Sequence, residues 1–251
     1  KKSNIKIQDP KNGRCNLVSS VDGIIIFQPN QLFSINSVTN DIGIASLKAF
    51  SKVKKNQIVA SIKAIPFGIK KNNLQNIINI CQDCFKILPF QKKNIHLIQT
   101  INQNTRPKIL EKTLKVTKDR LSSCGINKIV EKKCSHEIKS ICLQLNKSIN
   151  ENADIILIFG TSAICDINDV IPQSIKDIKG NILRLGMPVE PGNLILLADI
   201  KISKKHISII GMPSCARSRK ENGVDWILWR KLCDLKISSD DINHMGNGGL
   251  L

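Results

Sequence analysis

Apolar and polar positions change their pattern near Asn94. Before it, short β-branched runs predict strands at residues 21–27, 42–47 and 58–67, and a further strand is expected at 86–90. Between the strands predicted at 58–67 and 86–90, apolar residues recur with helical spacing and predict a helix over 72–85. Its buried face is expected to carry Leu74, Ile77, Ile78, Cys81 and Phe85. This part shows no catalytic constellation. We therefore expect residues 1–92 to form a smaller, accessory α+β region.

From residue 94 onward, predicted strands and helices alternate, which is typical of a layered α/β domain. Strands are expected at 95–100, 126–132 and 154–159, and helices at 107–123, after Ser135, and at 222–235. Ser135 is in position to cap the second of these helices. The pattern predicts a three-layer domain with a mixed, mostly parallel sheet over residues 93–237. Residues 238–251 are expected to lead to a further domain, because both ends of the sequence look cut from a longer chain.

Charge and composition narrow the choice of partners. The formal net charge is +18, but Lys is scattered through every segment and aromatic residues make up only 4% of the chain. Proteins that read nucleic acids usually cluster Arg and carry aromatic stacking residues, so we expect no nucleic-acid partner. No apolar run approaches the roughly 18 to 20 residues of a membrane helix, so we expect no membrane partner.

Cysteine usage favours buried thiols over a metal site. The nine Cys residues have no regular spacing, which fits a reducing cytoplasm. Cys81 and Cys84 form the only Cys-x-x-Cys pair, and a structural zinc site needs four ligands, for which Cys134 and His136 could be proposed as the other two. We predict that the chain holds no such metal.

The segment after the strand at 154–159 is where ligand chemistry is expected, since open α/β sheets bind ligands beyond the carboxyl ends of their strands. Gly160, Thr161 and Ser162 offer backbone amides and hydroxyls that suit a phosphate group, and a helix follows. The alternative is purely structural. In it, Asp169 and Pro172 only start the helix.

Residues 160–172, 186–193 and 209–218 are three loop segments rich in Gly, Pro and hydroxyl residues. Together they resemble the molybdopterin-binding domain family, which includes molybdopterin adenylyltransferases and molybdotransferases. Residues 160–172 resemble its Gly-Gly-Thr-Gly phosphate loop followed by Asp-Val-Thr-Pro, although the second and fourth glycines are replaced. Residues 186–193 resemble its turn with a Pro-Gly pair, and residues 209–218 are similar to its Gly-Leu-Pro-Gly-Asn-Pro loop. The resemblance implies that molybdopterin, or the molybdenum cofactor, is the bound cofactor.

A closer resemblance is to proteins in which such a domain precedes a molybdenum-cofactor nucleotidyltransferase domain. The shared patterns are Gly-Met-Pro at 186–188, Pro-Gly-Asn-Leu at 191–194, Pro-x-Cys-Ala-Arg-Ser at 213–218, Lys-x-Asn-Gly-x-Asp-Trp at 220–226 and Met-Gly-x-Gly-Gly-Leu-Leu at 245–251. The resemblance implies a transferase in which this segment mainly binds the pterin, a nucleotidyltransferase domain beyond Leu251, and a homo-oligomer.

One departure bears on activity. The adenylyltransferases use two acidic residues near the transferred phosphates; Asp169 matches one, but Cys134-Ser135-His136 stands where the other is expected. Because Mg²⁺ prefers carboxylate oxygens, binding is expected rather than adenylyl transfer. Asp166 and Asp169 could hold Mg²⁺ through water or could cap the helix.

The implied site can be stated residue by residue. Arg217 is expected to clamp the phosphate bidentately, and as a loop residue to contribute little to fold stability. The catalytic candidate is Asp169, and the cofactor-binding candidates are Gly160, Thr161, Ser162, Asp166, Pro188, Gly192, Pro213, Ser214, Arg217 and Ser218.

Two function classes follow from these patterns. In one, the domain binds molybdopterin and presents it to the fused transferase. In the other, the fold is an anion-binding or assembly module without pterin chemistry.

Overall fold

The computed structural model describes residues 3–251, which form two units divided between Gln91 and Lys92. Within the described part of the first unit, two antiparallel sheets have the strand orders β1-β2-β6-β4 and β5-β3-β7. The elements are β1 (Ile5–Ile7), β2 (Arg14–Ser19), β3 (Gly23–Ile26), α1 (Pro29–Asn36), β4 (Ile42–Ser46), β5 (Lys52–Val53), β6 (Ile58–Ala64), α2 (Lys71–Ile80) and β7 (Lys86–Pro89). The predicted α+β class of this region is confirmed.

Helix α2 differs from its prediction. It ends at Ile80 rather than at residue 85, and Leu74 and Ile78 are 42% and 49% exposed, while Ile77 is buried. The reason is a turn after the helix, in which the Cys84 N–H donates to the Cys81 carbonyl. This turn takes Cys84 and Phe85 out of helical phase and into the core. The predicted helical face therefore combined residues of the helix with residues of the turn that follows it.

The second unit is built on a sheet of order β11-β12-β13-β10-β8-β9. Strands β8, β9, β10 and β13 run parallel, whereas β12 is antiparallel to both β11 and β13. The elements are β8 (Ile95–Ile101), α3 (Pro107–Ser122), β9 (Ile129–Ser135), α4 (Ile138–Asn150), β10 (Ile155–Phe159), α5 (Val170–Asp177), β11 (Asn181–Leu185), β12 (Leu196–Ile202), β13 (Lys205–Met212), a 3₁₀ turn (Ser214–Arg217), α6 (Gly223–Leu232) and α7 (Ser239–His244).

The central strand β10 shows why helices cover both faces of this sheet. All five of its residues are buried, as expected for a parallel strand between two helical layers. Ile156 and Ile158 belong to a core cluster with residues of α4 and α5. On the other face, Arg217 of the 3₁₀ turn lies over the Phe159 ring, and the Gln99 side chain of β8 donates to the Leu110 carbonyl of α3. The unit is the predicted three-layer α/β domain with a mixed, mostly parallel sheet.

Two local predictions in this unit are wrong. Strand β9 begins three residues later than expected, so Ser135 is its last residue and not a helix cap. Helix α4 starts instead after Glu137, without a side-chain cap, and the Ser135 hydroxyl donates to the Ser140 hydroxyl at 2.6 Å.

Across residues 3–251, no helix is both long enough and apolar enough to cross a membrane.

Candidate functional site

Three predicted loops lie at the same edge of the sheet. The parallel strands β10 and β13 end there, at Phe159 and Met212, and lead into the loops that follow Gly160 and Gly211. Strand β12 starts at this edge, because Leu196 is paired with Gly211, so the connection from β11 to β12 also lies there. We call this edge, with its three loops, the carboxyl-edge site. Ligands of open α/β sheets bind at such edges.

Close packing joins two of these loops. A Cβ built on Gly211 would lie 2.5 Å from Cδ1 of Ile164 and 2.8 Å from Cβ of Leu196, so no larger residue fits without a shift. Ile164 belongs to the loop that begins at Gly160. Gly211 therefore lets the first loop lie directly on β13.

Arg217 holds the first loop from one face of the sheet. Its Nη2 donates to the Gly160 carbonyl at 3.0 Å, its Nε donates to the Thr113 hydroxyl at 3.1 Å, and its guanidinium carbon lies 4.7 Å from the centre of the Phe159 ring. Burial lowers the pKa of Arg217, although an Arg side chain remains charged at neutral pH. These three contacts within the protein argue against the expectation that Arg217 contributes little to fold stability.

Thr100 and His136 hold the same loop from the other face. The Thr161 N–H donates to the Thr100 hydroxyl at 3.0 Å, and that hydroxyl lies 2.8 Å from Nδ1 of His136. A Cβ on Gly160 would lie 3.7 Å from Cε1 of His136. Burial lowers the pKa of His136 below its ordinary 6.5, and the negative charge of Asp169 partly offsets this. The sequence offered a signal only for Thr100, which is the last residue of the predicted strand at 95–100, because His136 lies four residues beyond the predicted strand at 126–132.

The two acidic residues of the loop are engaged with its own backbone. Oδ2 of Asp169 accepts from the N–H groups of Cys165 and Asp166 at 2.8 and 3.0 Å, and Oδ1 of Asp166 accepts from the Asn168 N–H at 2.7 Å. Asp169 is the residue before α5, but its side chain bonds to no N–H of that helix. The predicted helix capping by these side chains is therefore wrong. Within residues 3–251, no group of three or more His, Cys, Asp or Glu side chains is placed to hold a metal ion.

The turn that contains Pro188 and Gly192 makes close contacts with Gly223 and Gly249. A Cβ on Gly192, whose φ is +131°, would lie 2.6 Å from the backbone nitrogen of Gly223. A Cβ on Gly249 would lie 2.5 Å from the Pro188 carbonyl oxygen. The glycines at 192 and 249 thus permit close backbone contacts, and this accounts for part of the Pro-Gly and C-terminal Gly-rich patterns.

A buried ion pair supports the 3₁₀ turn. Arg120 of α3 pairs with Asp225 of α6, and both side chains are only about 5% exposed. Arg120 also donates to the carbonyls of Ala216 and Ser218 at 3.3 and 2.8 Å. The Asp225 carboxylate accepts from the Asn222 N–H in a capping box at the start of α6. The Lys-x-Asn-Gly-x-Asp-Trp pattern therefore has a structural role.

What remains accessible at the carboxyl-edge site is a set of hydroxyl, imidazole and guanidinium groups. Ser162, Ser214 and Ser218 are exposed, while Thr161, His136 and Arg217 are half-buried. Pro213 is buried before the 3₁₀ turn, and Gly160 is buried. These groups include several N–H and O–H donors. The arrangement suits recognition of an anion.

No family model and no curated protein matches the chain. Among solved structures, it is similar to the tungsten cofactor synthesizing protein MoaB from Pyrococcus furiosus, at 12% identity and a TM-score of 0.35, over 57% of this chain and 89% of that one. It is also similar to a molybdenum cofactor biosynthesis protein B, at 13% identity and a TM-score of 0.38, over 59% of this chain and 97% of that one. Such TM-scores assign no function to the chain.

Proposed function

We propose that residues 92–251 bind molybdopterin at the carboxyl-edge site during molybdenum cofactor biosynthesis. One observation carries the proposal. The segments in which the sequence resembles molybdopterin-binding domains are brought to one edge of the sheet, where Arg217 donates to the Gly160 carbonyl at 3.0 Å. Residues 57 positions apart in the chain thus meet where this fold class binds ligands.

The chemistry of the accessible groups supports an anionic ligand. Molybdopterin is an anionic pterin dithiolene with a phosphate tail. In the proposal, the hydroxyls of Thr161, Ser162, Ser214 and Ser218 donate to the phosphate. Arg217 supplies a positive charge, and the N–H groups of its Nη1 have no hydrogen-bond partner among residues 3–251. Charge-assisted hydrogen bonds of this kind are stronger than neutral ones.

Mg²⁺ does not belong to this proposal. The carboxylates of Asp166 and Asp169 accept backbone N–H groups of their own loop, so they do not form a ready oxygen cage for a hard cation. For the same reason we assign Asp169 a structural role in the loop and leave its catalytic role as an untested prediction.

Three further parts of the proposal rest on the sequence alone. The resemblance implies that the domain presents its pterin to a nucleotidyltransferase domain and assembles as a homo-oligomer, and the cysteine usage fits a protein that acts in the cytoplasm. Each of these parts needs its own test. Presentation is tested by comparing nucleotide transfer to the bound pterin with transfer to the free pterin.

Calorimetric titration with molybdopterin tests the binding proposal. Ser162→Leu places a branched apolar side chain in the accessible part of the loop and should weaken binding about tenfold or more, which corresponds to about 1.4 kcal/mol. Ser34→Leu, at an exposed position of α1, is the matched control and should bind as the wild type does. Equal affinities for the two variants would show that the loop is not part of the binding site.

A second candidate is an anion-binding or assembly module without pterin chemistry. It is favoured by the internal engagement of the Thr161 amide and the Arg217 guanidinium, which gives both groups a structural role in the loop. Titration with inorganic phosphate separates the two candidates. The second candidate predicts that phosphate and molybdopterin bind with similar affinity, whereas the first predicts much tighter binding of the pterin.

A further inference from the structure

The His136 side chain lies at the carboxyl-edge site, but the proposed function assigns it no role. It directly follows β9, and its N–H donates to the Ile101 carbonyl, which fixes its backbone beside the end of β8. Its ring is held by the Thr100 hydroxyl, 2.8 Å from Nδ1, and the ring edge at Cε1 faces Gly160. Nε2 forms no hydrogen bond within residues 3–251 and is not fully buried, and His136 as a whole is half-buried. That nitrogen is therefore open to a ligand.

The Thr100 hydroxyl is suited to both protonation states of His136. When the imidazole is neutral, this hydroxyl accepts the Thr161 N–H and donates its own proton to Nδ1. When His136 is charged, Nδ1–H donates to the Thr100 oxygen, and the hydroxyl proton can turn to the Phe159 carbonyl at 3.4 Å. A hydroxyl can accept two hydrogen bonds while it donates one. Protonation of His136 therefore breaks no contact that holds the loop.

The charges around His136 come from several elements. The Asp169 carboxylate acts from the segment before α5 and favours the charged form. Glu137 follows in sequence and its carboxylate accepts from the Ser135 hydroxyl at 3.4 Å. Thr100 on β8 and Thr161 after β10 are neutral, and the Arg217 cation bonds to the carbonyl of the same Gly160. The neutral form thus dominates at pH 7 without a ligand, because burial lowers the pKa of His136.

We propose that His136 is an anion-binding residue of the carboxyl-edge site, which takes up a proton when a phosphate-like group binds and donates Nε2–H to one of its oxygens. This inference rests on the proposed function, since it places the phosphate at the same loop. An anion beside the ring favours the imidazolium, so the pKa of His136 should be higher in the complex than in the free protein. Binding should therefore strengthen as the pH falls from the pKa of the complex towards that of the free protein.

Nuclear magnetic resonance of the ¹⁵N-labelled chain tests this with sulfate, which remains a dianion throughout the neutral pH range. The pKa of His136, read from its ring nitrogen signals, should rise by about one unit or more at saturating sulfate, as opposite charges within a few ångströms produce. His206 is the internal control, because it lies at the start of β13, at the opposite edge of the sheet, and its ring nitrogen signals should not respond to sulfate.

Titrations of the His136→Gln variant provide a second readout. Gln keeps a polar side chain but cannot titrate, so its sulfate affinity should be independent of pH, and about tenfold weaker than that of wild type near pH 6. His206→Gln should behave as the wild type does.

The outcomes separate this inference from the proposed function. If sulfate shifts the amide signals of Thr161 and Ser162 but leaves the pKa of His136 unchanged, the inference is overturned while the anion site remains. If His136 responds to sulfate but molybdopterin does not bind, the inference stands and the proposed ligand is wrong. If neither sulfate nor molybdopterin affects the loop, both fail.

Discussion

Replacing Arg217 should lower both fold stability and ligand affinity, and the contacts of its guanidinium set the size of each effect. Arg217→Ala removes the hydrogen bond to the Gly160 carbonyl, the bond to the Thr113 hydroxyl and the contact with the Phe159 ring. A hydrogen bond from a charged group contributes about 1.5–3 kcal/mol, and a cation–π contact about 0.5–2 kcal/mol. Thr113 keeps its bond to the Ile109 carbonyl, so only the Gly160 carbonyl loses a strong donor. We expect the free energy of unfolding to fall by about 2–3 kcal/mol, since such contributions overlap.

The effect on binding should be of similar size. If Arg217 also donates to the phosphate tail, Arg217→Ala should weaken molybdopterin binding by about 1.5–3 kcal/mol, or roughly ten- to a hundredfold. Arg217→Lys should recover only part of this loss, because an ammonium keeps the charge but not the planar fork. Arg217→Met keeps an apolar contact with Phe159 and should recover stability rather than affinity.

Urea denaturation and calorimetric titration of the four proteins separate the two roles. Titrations are compared only where circular dichroism shows each variant to be folded. Loss of stability with equal affinities across the series would make Arg217 a purely structural residue and place the phosphate elsewhere. Unchanged stability in Arg217→Ala would refute the reasoning from its three contacts.

Three other predictions follow from the same structure. Arg120→Met leaves the buried Asp225 carboxylate without its cation and should lower the free energy of unfolding, measured by urea denaturation, by about 3–5 kcal/mol. Adding Asp225→Leu should restore part of this loss. If the effects of the two substitutions simply added, the two residues would not be a coupled pair. His96 is buried, and desolvation, followed by the positive charge of Lys132, lowers its pKa, so the unfolded state binds its proton more readily. Wild type should therefore lose stability as the pH falls below about 6.5, by up to about 1.4 kcal/mol per pH unit, and His96→Leu should lose less; parallel pH profiles would exclude this contribution. Incubation with ATP, Mg²⁺ and molybdopterin should release no pyrophosphate at an enzymatic rate, because the second acidic position of adenylyltransferases is absent, and steady release would show that this position is dispensable.

Local sequence pattern was sufficient for much of the architecture. The apolar residues of β10 are buried on both faces, and such a run between helical segments is typical of a parallel sheet. The same alternation predicted β8, α3 and α6 to within a few residues. Besides β9, helix α2 was an exception, because its apolar spacing continued by coincidence through a turn and into the core residues Cys84 and Phe85.

The sequence by itself determined which segments would carry the candidate site, since Gly, Pro and hydroxyl residues after apolar strands mark the loops of an α/β sheet. Only the tertiary structure decided what the side chains do there. The Thr161 amide meets a hydroxyl 61 residues away, and Arg217 meets one 104 residues away. These contacts depend on the strand order, which places β10 between β8 and β13, and no local pattern encodes that order. Arg217 was thus expected to be free for a ligand, because the groups that engage it are distant in sequence and adjacent only in the folded sheet.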